Sequence, residues 1–433
     1  MENFREIGVS LVKKVVIPWR LPSYKRLNGY HPLISSYVES APEDVVFSFA
    51  EDAGITQASL AEVATNLIRI GCKLGQTPNF NLGKHDTSVS EFCKISDLES
   101  QARIETAATT ADIIFHHTAP LHLGTKPFIL HFESITPLFI PFIYHGSTWD
   151  IDIKSLPFFH YIKQLLESDM CRGIFTHVKS SYDVFLRLFD SCVIADKTRY
   201  ITLGVSAPEQ FDKRISDKID SQSRDRLNIV FTNSFQNSAA GFFVRGGWEV
   251  LKAFQALRAT HPHATLTILS ARTQDVDFME TGRHHEGVTW LDQGIEDQQL
   301  FELLADADIF MLPAAGLHSY SVLRAMRFGA VLICSDAPGY EEYVTDNVNA
   351  VVISGRRSQI YQIDPSTGWM RDNYQSAFSL NREIIADLTN VLVRLADNPD
   401  ERRRLGRQAL MDVRNKYRLE PWVREISRII ASA

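Results

Sequence analysis

The stretch "MLPAAGLHSYSVLRAMRFGAVLICSDAPGYEEYV", Met311 to Val344, decides the fold. It opens as a short apolar strand, passes through a small-residue loop and continues into a helix from about Ser319. Ser319 and Ser321 lie near that helix start, where free N–H groups and the positive end of the helix dipole suit a phosphate. Gly329 closes the helix. "AVLICSD" follows as a buried strand, Pro338-Gly339 makes a turn, and Glu341 and Glu342 open a further short helix. Strand, helix, strand with almost no slack is the signature of a parallel sheet.

The same alternation runs outward in both directions. Upstream come "LNIVFTNS" as a strand, "GWEVLKAFQALRAT" as a helix, "ATLTILS" and "GVTWLDQ" as strands and "EDQQLFELLADA" as a helix. Downstream come "NAVVIS" as a strand, a loop around Gln359–Asn373, two helices, and a terminal helix around Trp422 to Ile430. An independent alternation fills the first half. Val45–Phe49 is a strand and Thr56 or Gln57 to Ile70 a helix, while "DIIFHH", "PFILHF" and "GIFTH" are buried strands. "SSYDVFLRLF" reads as a helix opened by a serine cap, and "RYITLGV" as the last strand. The loop after Phe49 is not GxGxxG, so no dinucleotide fingerprint is present. The expected class is therefore α/β with two Rossmann-like, doubly wound domains. The expected boundaries are an N-terminal extension over 1–44, a first domain over 45–205, a polar linker over 206–226, a second domain over 227–415, and a C-terminal helix over 416–433 that packs back on the first domain. Ligands of such sheets sit beyond the carboxyl ends of the strands. The loops after Phe49, His117, Phe132, Thr232, Leu312 and Asp336 should face one cleft.

Bulk properties narrow the partners. At 433 residues the chain exceeds one ordinary core. Its net charge of −7 argues against a nucleic-acid partner. Cys72, Cys93, Cys171, Cys192 and Cys334 are scattered, with no CxxC pair, which reads as reduced thiols in a cytoplasmic protein rather than disulfides or a zinc site. No apolar run is long enough to span a bilayer, and the first residues lack the form of a secretory signal. The segment 1–44 interleaves Arg5, Lys13, Lys14, Arg20, Lys25 and Arg26 with apolar residues. Such a segment either rests on the inner face of an anionic membrane or packs as an arm on the first domain; the packed arm is the simpler reading.

"RAMRFGAVLICSDAPGYEEYV" resembles the C-terminal domain of GT-B glycosyltransferases, in particular the large retaining group called family four. Ala325, Met326, Gly329, Val331, Ile333, Asp336, Gly339, Glu342 and Val344 fall in step with that block. "FFVRGGWEVLKAF" resembles the family's KGG segment with Arg245 in place of lysine, and "RYITLGVSAPEQF" resembles the run that ends the first domain. The resemblance is firm over about residues 200–355 and looser over 45–200.

The resemblance implies a sugar donor bound by the second domain and an acceptor by the first, with no metal and no separate cofactor. Two family glutamates, eight positions apart, contact donor sugar and ribose. Here they fall on Gly316 and Arg324, or on His318 if the loop is shorter. A guanidinium only donates, so Arg324 would hold a phosphate or carboxylate, or else pair with an acid such as Glu341. Donor contacts are expected from Ser319, Tyr320, Ser321, Arg324, His318, Glu342, Gly246 and Asn233. Arg245 is expected to stabilise the departing diphosphate. In the first domain His131 is the catalytic candidate. Glu133, Glu51 and Asp52 are acceptor-binding candidates, while His116 and His117 read as buried and structural. The runs Asp150–Asp152, Asp275–Asp277 and Asp306–Asp308 read as turn and cap residues rather than metal ligands. The implied function is transfer of a sugar from a nucleotide-sugar to a glycan, a lipid-linked glycan or a small glycoside. The alternatives are an inactive GT-B protein that binds a glycan or partner transferase, and a nucleotide-sugar epimerase.

Overall fold

The computed structural model describes residues 12–18, 32–75, 98–117, 125–139, 143–221, 225–233, 239–270, 286–291 and 295–433. Two six-stranded sheets, parallel throughout, organise the chain. The first has the order β2–β1–β3–β4–β5–β6, from β1 (Lys13–Ile17), β2 (Val45–Phe49), β3 (Ile113–His117), β4 (Phe128–His131), β5 (Cys171–Thr176) and β6 (Thr198–Tyr200). The second has the order β12–β11–β10–β7–β8–β9, from β7 (Leu227–Thr232), β8 (Ala264–Leu269), β9 (Val288–Leu291), β10 (Ile309–Leu312), β11 (Val331–Ser335) and β12 (Ala350–Ile353). Strand order reverses between β1 and β3 in the first sheet and between β7 and β10 in the second. A crevice opens beyond the carboxyl ends of strands at such a reversal.

The crossovers are helical. They are α1 (Pro32–Ser40), α2 (Gln57–Gly75), α3 (Leu98–Ala108), α4 (Pro157–Glu167), α5 (Lys179–Phe189) and α6 (Cys192–Lys197), then α7 (Asp212–Asp220), then α8 (Ala239–Val244), α9 (Gly247–Arg258), α10 (Asp297–Asp306) and α11 (Ser319–Arg327). Beyond them lie α12 (Arg356–Ile360), α13 (Arg382–Asp397), α14 (Pro399–Lys416) and α15 (Leu419–Ser432). Strands such as "VLICS" are buried along their whole length, as a sheet covered on both faces requires.

The sheets correct several expectations. Lys13–Ile17 belongs to no extension: it pairs with β2 on one side and β3 on the other, and Val15, Val16 and Ile17 are wholly buried. The β-branched run after the two lysines makes the strand. The rest of the basic segment, with Arg5, Arg20, Lys25 and Arg26, lies outside the described residues. The 206–226 linker contains α7, whose Ile215 and Ile219 enter the second domain's core. Lys218 on that helix is buried, and its ammonium donates to the carbonyls of Ala307 at 2.7 Å and Phe328 at 2.8 Å. The loop at 359–373 is partly a two-stranded antiparallel hairpin, β13 (Tyr361–Ile363) and β14 (Met370–Asp372). Its Trp369 joins the first domain's core, and its Thr367 carbonyl accepts from Arg187 Nε at 2.8 Å.

The terminal helix α15 lies on the first sheet. Trp422, Val423, Ile426 and Ile430 are buried, and Trp422 sets its ring edge-on to Phe175. Gly173 on β5 is forced by this contact, because a Cβ there would come within 2.6 Å of Ile429. Among the described residues no helix is long and apolar enough to cross a membrane. A cavity of about 610 Å³ lies between α15 and the amino ends of β1 and β2, lined by Lys13, Asp44, Val45 and Arg424. It is at the opposite end of those strands from the crevice.

Candidate active site

Arg245 follows α8 and precedes Gly246, which takes a left-handed φ of 76° to start α9. Gly246 has no room for a side chain: a Cβ would sit 2.7 Å from the Pro313 carbonyl at the end of β10. That packing brings the Arg245 segment onto the strand reversal. Gly246 was expected to touch the donor; its visible work is this close approach. Arg245 is only 7% exposed. Burial lowers its pKa to about 10, against the charges of Tyr374 and Glu133, which favour the guanidinium.

Glu133 comes from the other domain, two residues beyond β4. Desolvation raises its carboxyl to about 7, and Arg245 pulls the other way. His318, at the N-cap of α11, is held well below its usual pKa by burial and by the neighbouring charges of Arg245 and His145. Three of the expected residues, Arg245, Glu133 and His318, therefore share one electrostatic neighbourhood across the two domains. The His318 side chain makes no capping bond, so it leaves the first N–H groups of α11 to other partners.

His131 does not reach this space. It is 1% exposed and stands in the middle of a buried histidine chain. His117 Nδ1 lies 2.6 Å from His131 Nδ1, and His131 Nε2 lies 2.9 Å from His177 Nδ1. His177 Nε2 in turn meets Ser319 Oγ at 2.8 Å and Glu133 Oε1 at 3.4 Å. Each contact holds one proton, so the tautomers are linked along the chain. Protons pointing toward Ser319 and Glu133 place an N–H of His177 against a carboxylate, the better arrangement of the two. Burial lowers His177 to about 3 and His116 to about 4, so both rings stay neutral. His177 thus occupies the position expected of His131. Both end buried strands near the cleft, and the rule that chose His131 applied equally to His177.

The remaining donor candidates are distributed as follows. Ser319 is buried and bonded to His177. Tyr320 Oη lies 3.0 Å from Ser36 Oγ on α1. Ser321 occupies the first turn of α11, half-buried. Among the described residues Arg324 pairs with no acid. Its guanidinium donates to Tyr320 Oη at 3.1 Å and lies 4.6 Å from the Tyr320 ring and 5.4 Å from Phe301, while its Nε has no partner among the described residues. Glu341 pairs with Arg357 instead, at 2.7 Å. Asn233 ends β7, with its side-chain amide donating to Ser270 Oγ at 3.0 Å.

Glu342, expected at the donor, has its carboxylate engaged across the domains. Its carboxylate accepts from the backbone N–H groups of Lys179 at 2.5 Å and Ser180 at 2.8 Å, at the amino end of α5. It caps a helix of the first domain. The serine cap expected there is absent, since Val178 is the N-cap and no side chain of its own segment caps the helix.

Asp52 lies after the edge strand β2, three strands from β4, which is about 14 Å at ordinary strand spacing. The acceptor candidates Asp52 and Glu133 are not together. The Glu51 side chain lies outside the described residues. Of the acidic runs, Asp152 is a cap residue, while Asp308 pins the start of β7. Asp152 accepts from Lys154 N at 3.1 Å, and Asp308 from Asn228 N at 2.8 Å. Asp275–Asp277 lies outside the described residues. Among the described residues no cluster suited to a metal ion is present.

One group of site residues has no counterpart in the sequence reading. His145 Nδ1 lies 2.6 Å from Asp372 Oδ2, across 227 residues and both domains. Thr148 Oγ1 donates to the other oxygen, Oδ1, at 2.6 Å. Burial opposes the Asp372 charge, but these hydrogen bonds prevail and hold the carboxyl below its usual range. The Tyr374 ring stacks on His145 with 6.4 Å between centroids. Tyr361 Oη is the nearest group to a side chain added at Gly316, 3.8 Å away. Thus the hairpin segment supplies polar groups where the resemblance leads one to expect a glutamate.

This arrangement matches known folds. The chain superposes on a glycosyltransferase from Rickettsia africae (TM-score 0.54, 12% identity, 96% of this chain and 97% of that one). It superposes equally on Anabaena HepE, solved in complex with UDP and glucose (TM-score 0.58, 12% identity, 98% and 100%). Sucrose-phosphate synthase from Thermosynechococcus elongatus gives a TM-score of 0.55 at 12% identity, over 96% and 98%. No curated protein matches in sequence. The fold is GT-B, which these glycosyltransferase structures share. Residues 228–362, in the second domain, match the family model for glycosyl transferases group 1.

Proposed function

We propose that the chain transfers a sugar from a nucleoside-diphosphate sugar to a hydroxyl of a glycan, a lipid-linked glycan or a small glycoside, without a metal ion. One observation carries the reading: Arg245, His318 at the start of α11 and Glu133 converge at the carboxyl ends of both sheets. A diphosphate leaving group gathers negative charge as its bond to the sugar breaks. A buried guanidinium and a helix N-terminus are preorganised to receive it, and they need no solvent rearrangement. That the HepE structures hold UDP and UDP-glucose supports a nucleotide-sugar donor. WaaG, a glycosyltransferase involved in lipopolysaccharide biosynthesis, shares the fold with a TM-score of 0.57 and supports a glycan acceptor.

The test is calorimetric titration and thermal shift with UDP, GDP, ADP and their glucose or mannose derivatives, with and without EDTA. Binding raises the melting temperature by mass action. At least one nucleotide is expected to bind, with EDTA making no difference. If none of them binds, the reading fails, and the inactive-scaffold alternative takes its place.

A further inference from the structure

We infer that Arg324 is an anion-binding residue, whose guanidinium takes a phosphate or carboxylate oxyanion carried by a substrate. The inference rests on the proposed sugar transfer for what the substrates are and adds a ligand-binding residue to it. Three observations carry it.

The first is a buried charge without a counter-charge. Arg324 is 7% exposed, and among the described residues its hydrogen bond goes from Nη2 to Tyr320 Oη, a neutral hydroxyl. Its Nε is buried and has no partner among them. Aromatic rings lie against the guanidinium instead, Tyr320 at 4.6 Å and Phe301 at 5.4 Å. An aromatic face attracts a cation weakly beside what burying that charge costs. A carboxylate or phosphate is what ordinarily offsets the difference.

The second is contrast with the other buried cations of the described residues. Arg327, on the same helix, reaches Asp212 at 2.9 Å. Arg356 lies 3.1 Å from Glu249, and Glu133 acts on Arg245. Lys218 and Arg402 donate to main-chain carbonyls, Lys218 to Ala307 at 2.7 Å and Arg402 to Ala396 at 3.1 Å. Among the described residues Arg324 alone has neither an acid nor a carbonyl. Where this fold buries a cation for structure it supplies the partner, so the missing partner of Arg324 belongs to a ligand.

The third is position. Side chains of a helix lean toward its amino end, and the bond to Tyr320, one turn earlier, shows the Arg324 guanidinium doing so. The amino end of α11 follows β10 at the strand reversal and so faces the crevice, with His318 and Arg245 beside it. Tyr320 Oη lies 3.0 Å from Ser36 Oγ on α1, so the guanidinium stands where the two domains meet. A planar guanidinium with a free Nε edge fits two oxygens of one phosphate or carboxylate. Entry of the oxyanion exchanges the Tyr320 hydroxyl for a charged acceptor, which makes the stronger bond.

Two sources can supply the group. A nucleotide-sugar brings phosphates, and an acceptor can bring a phosphate or carboxylate of its own. The chemistry at Arg324 is the same, and the experiment separates them.

The experiment uses the full chain, wild type and two variants. Arg324→Met keeps the length of the side chain without its charge, and Arg324→Gln keeps a donor for Tyr320 without the charge. Unliganded melting temperatures are measured first. Removing an uncompensated buried charge should leave both variants as stable as wild type or more so. Titration calorimetry follows with UDP, GDP and ADP, then with glucuronate and glycerol phosphate in the presence of the tightest nucleotide. Both variants are expected to lose about tenfold or more in affinity for at least one of these two sets, the loss of a charge-assisted hydrogen bond. Loss for the nucleotides assigns the oxyanion to the donor. Loss for glucuronate or glycerol phosphate, with the nucleotides unchanged, assigns it to the acceptor. Affinities within about threefold of wild type for every probe overturn the inference and leave the transferase reading intact. Both variants melting well below wild type overturn it as well, since Arg324 would then be compensated in the unliganded fold. If wild type binds no nucleotide, the transferase reading fails. Glucuronate, glycerol phosphate and inorganic phosphate then test Arg324 by themselves, and no binding, or binding that both variants keep, overturns the inference too.

Discussion

Glu342 of the second domain caps α5 of the first, with its two oxygens 2.5 and 2.8 Å from the N–H groups of Lys179 and Ser180. Two orphan donors and the positive end of a helix are thereby satisfied from across the cleft. Gly339 makes room for this contact, since a Cβ on it would come within 3.2 Å of Ser180 Oγ. Glu342→Ala should therefore cost about 0.5–2 kcal/mol of stability, the usual range for a lost N-cap. Urea denaturation measures the loss, and calorimetry should find donor affinity nearly unchanged. A tenfold loss of affinity at unchanged stability would return Glu342 to the donor site.

Arg245 should behave in the opposite way. Its guanidinium faces Glu133, Tyr374 and the His318 end of α11, and stabilising a departing diphosphate is worth about 10²–10³ in rate per donor. Arg245→Lys keeps a charge but loses the fork. It should retain more turnover than Arg245→Ala, with the melting temperatures of both close to wild type. Parallel loss of rate and stability in both variants would mark Arg245 as a structural residue.

Glu133 gives the site a pH dependence near neutrality. Its carboxyl is raised from 4.5 to about 7 in the fold. The folded protein then holds an extra proton between those values, so Glu133 contributes stability fully present below about 4.5 and lost as pH rises through about 7. An anionic donor should also bind better while Glu133 is neutral. Donor affinity is thus expected to weaken from pH 6 to pH 8. His177, which Glu133 approaches at 3.4 Å, stays neutral throughout that range and does not reverse the trend. Glu133→Gln should flatten both curves; a slope that survives the substitution belongs to another group.

The second domain was legible because its information is local. The order strand, helix, strand and turn over Met311–Val344 needs only neighbours in sequence, and the observed β10, α11 and β11 follow it closely. The first strand was hidden because "KKVVI" offers three buried residues behind two lysines, with its partners Val45 and Ile113 far away in the chain. The hairpin was hidden for a related reason. Ile363 is 61% exposed and the strands are three residues each, so they carry no apolar alternation. Their binding energy is spent against the other domain. His145 and Asp372 inherit that difficulty, since nothing near either residue in sequence announces the other. The histidine chain was half legible: strand ends exposed His117 and His131, but only the packing of β5 beside β4 shows that His177 stands between them and the cleft.

The last prediction concerns what holds the Arg245 segment in place. Arg356 and Glu249 are both buried, with 3.1 Å between Nη2 and Oε1. Arg356 also donates from Nε to the Pro313 carbonyl at 3.2 Å and from Nη1 to Gln359 at 3.1 Å, and its Nη2 would lie 3.1 Å from a Cβ on Gly246. Among the described residues neither Glu249 oxygen has a well-directed hydrogen-bond donor, so the pair is held by charge more than by geometry. Removing one member strands the other in the interior. Glu249→Ala should cost about 3–5 kcal/mol, whereas replacing both residues by apolar ones of similar volume, Glu249→Met with Arg356→Leu, should come out near neutral or better. Urea melts of the two single variants and the double variant measure the coupling directly. The double variant should also lose activity, because Arg356 braces the turn at Gly246 that carries Arg245. Full activity in a stable double variant would show that Gly246 and Pro313 position Arg245 without it.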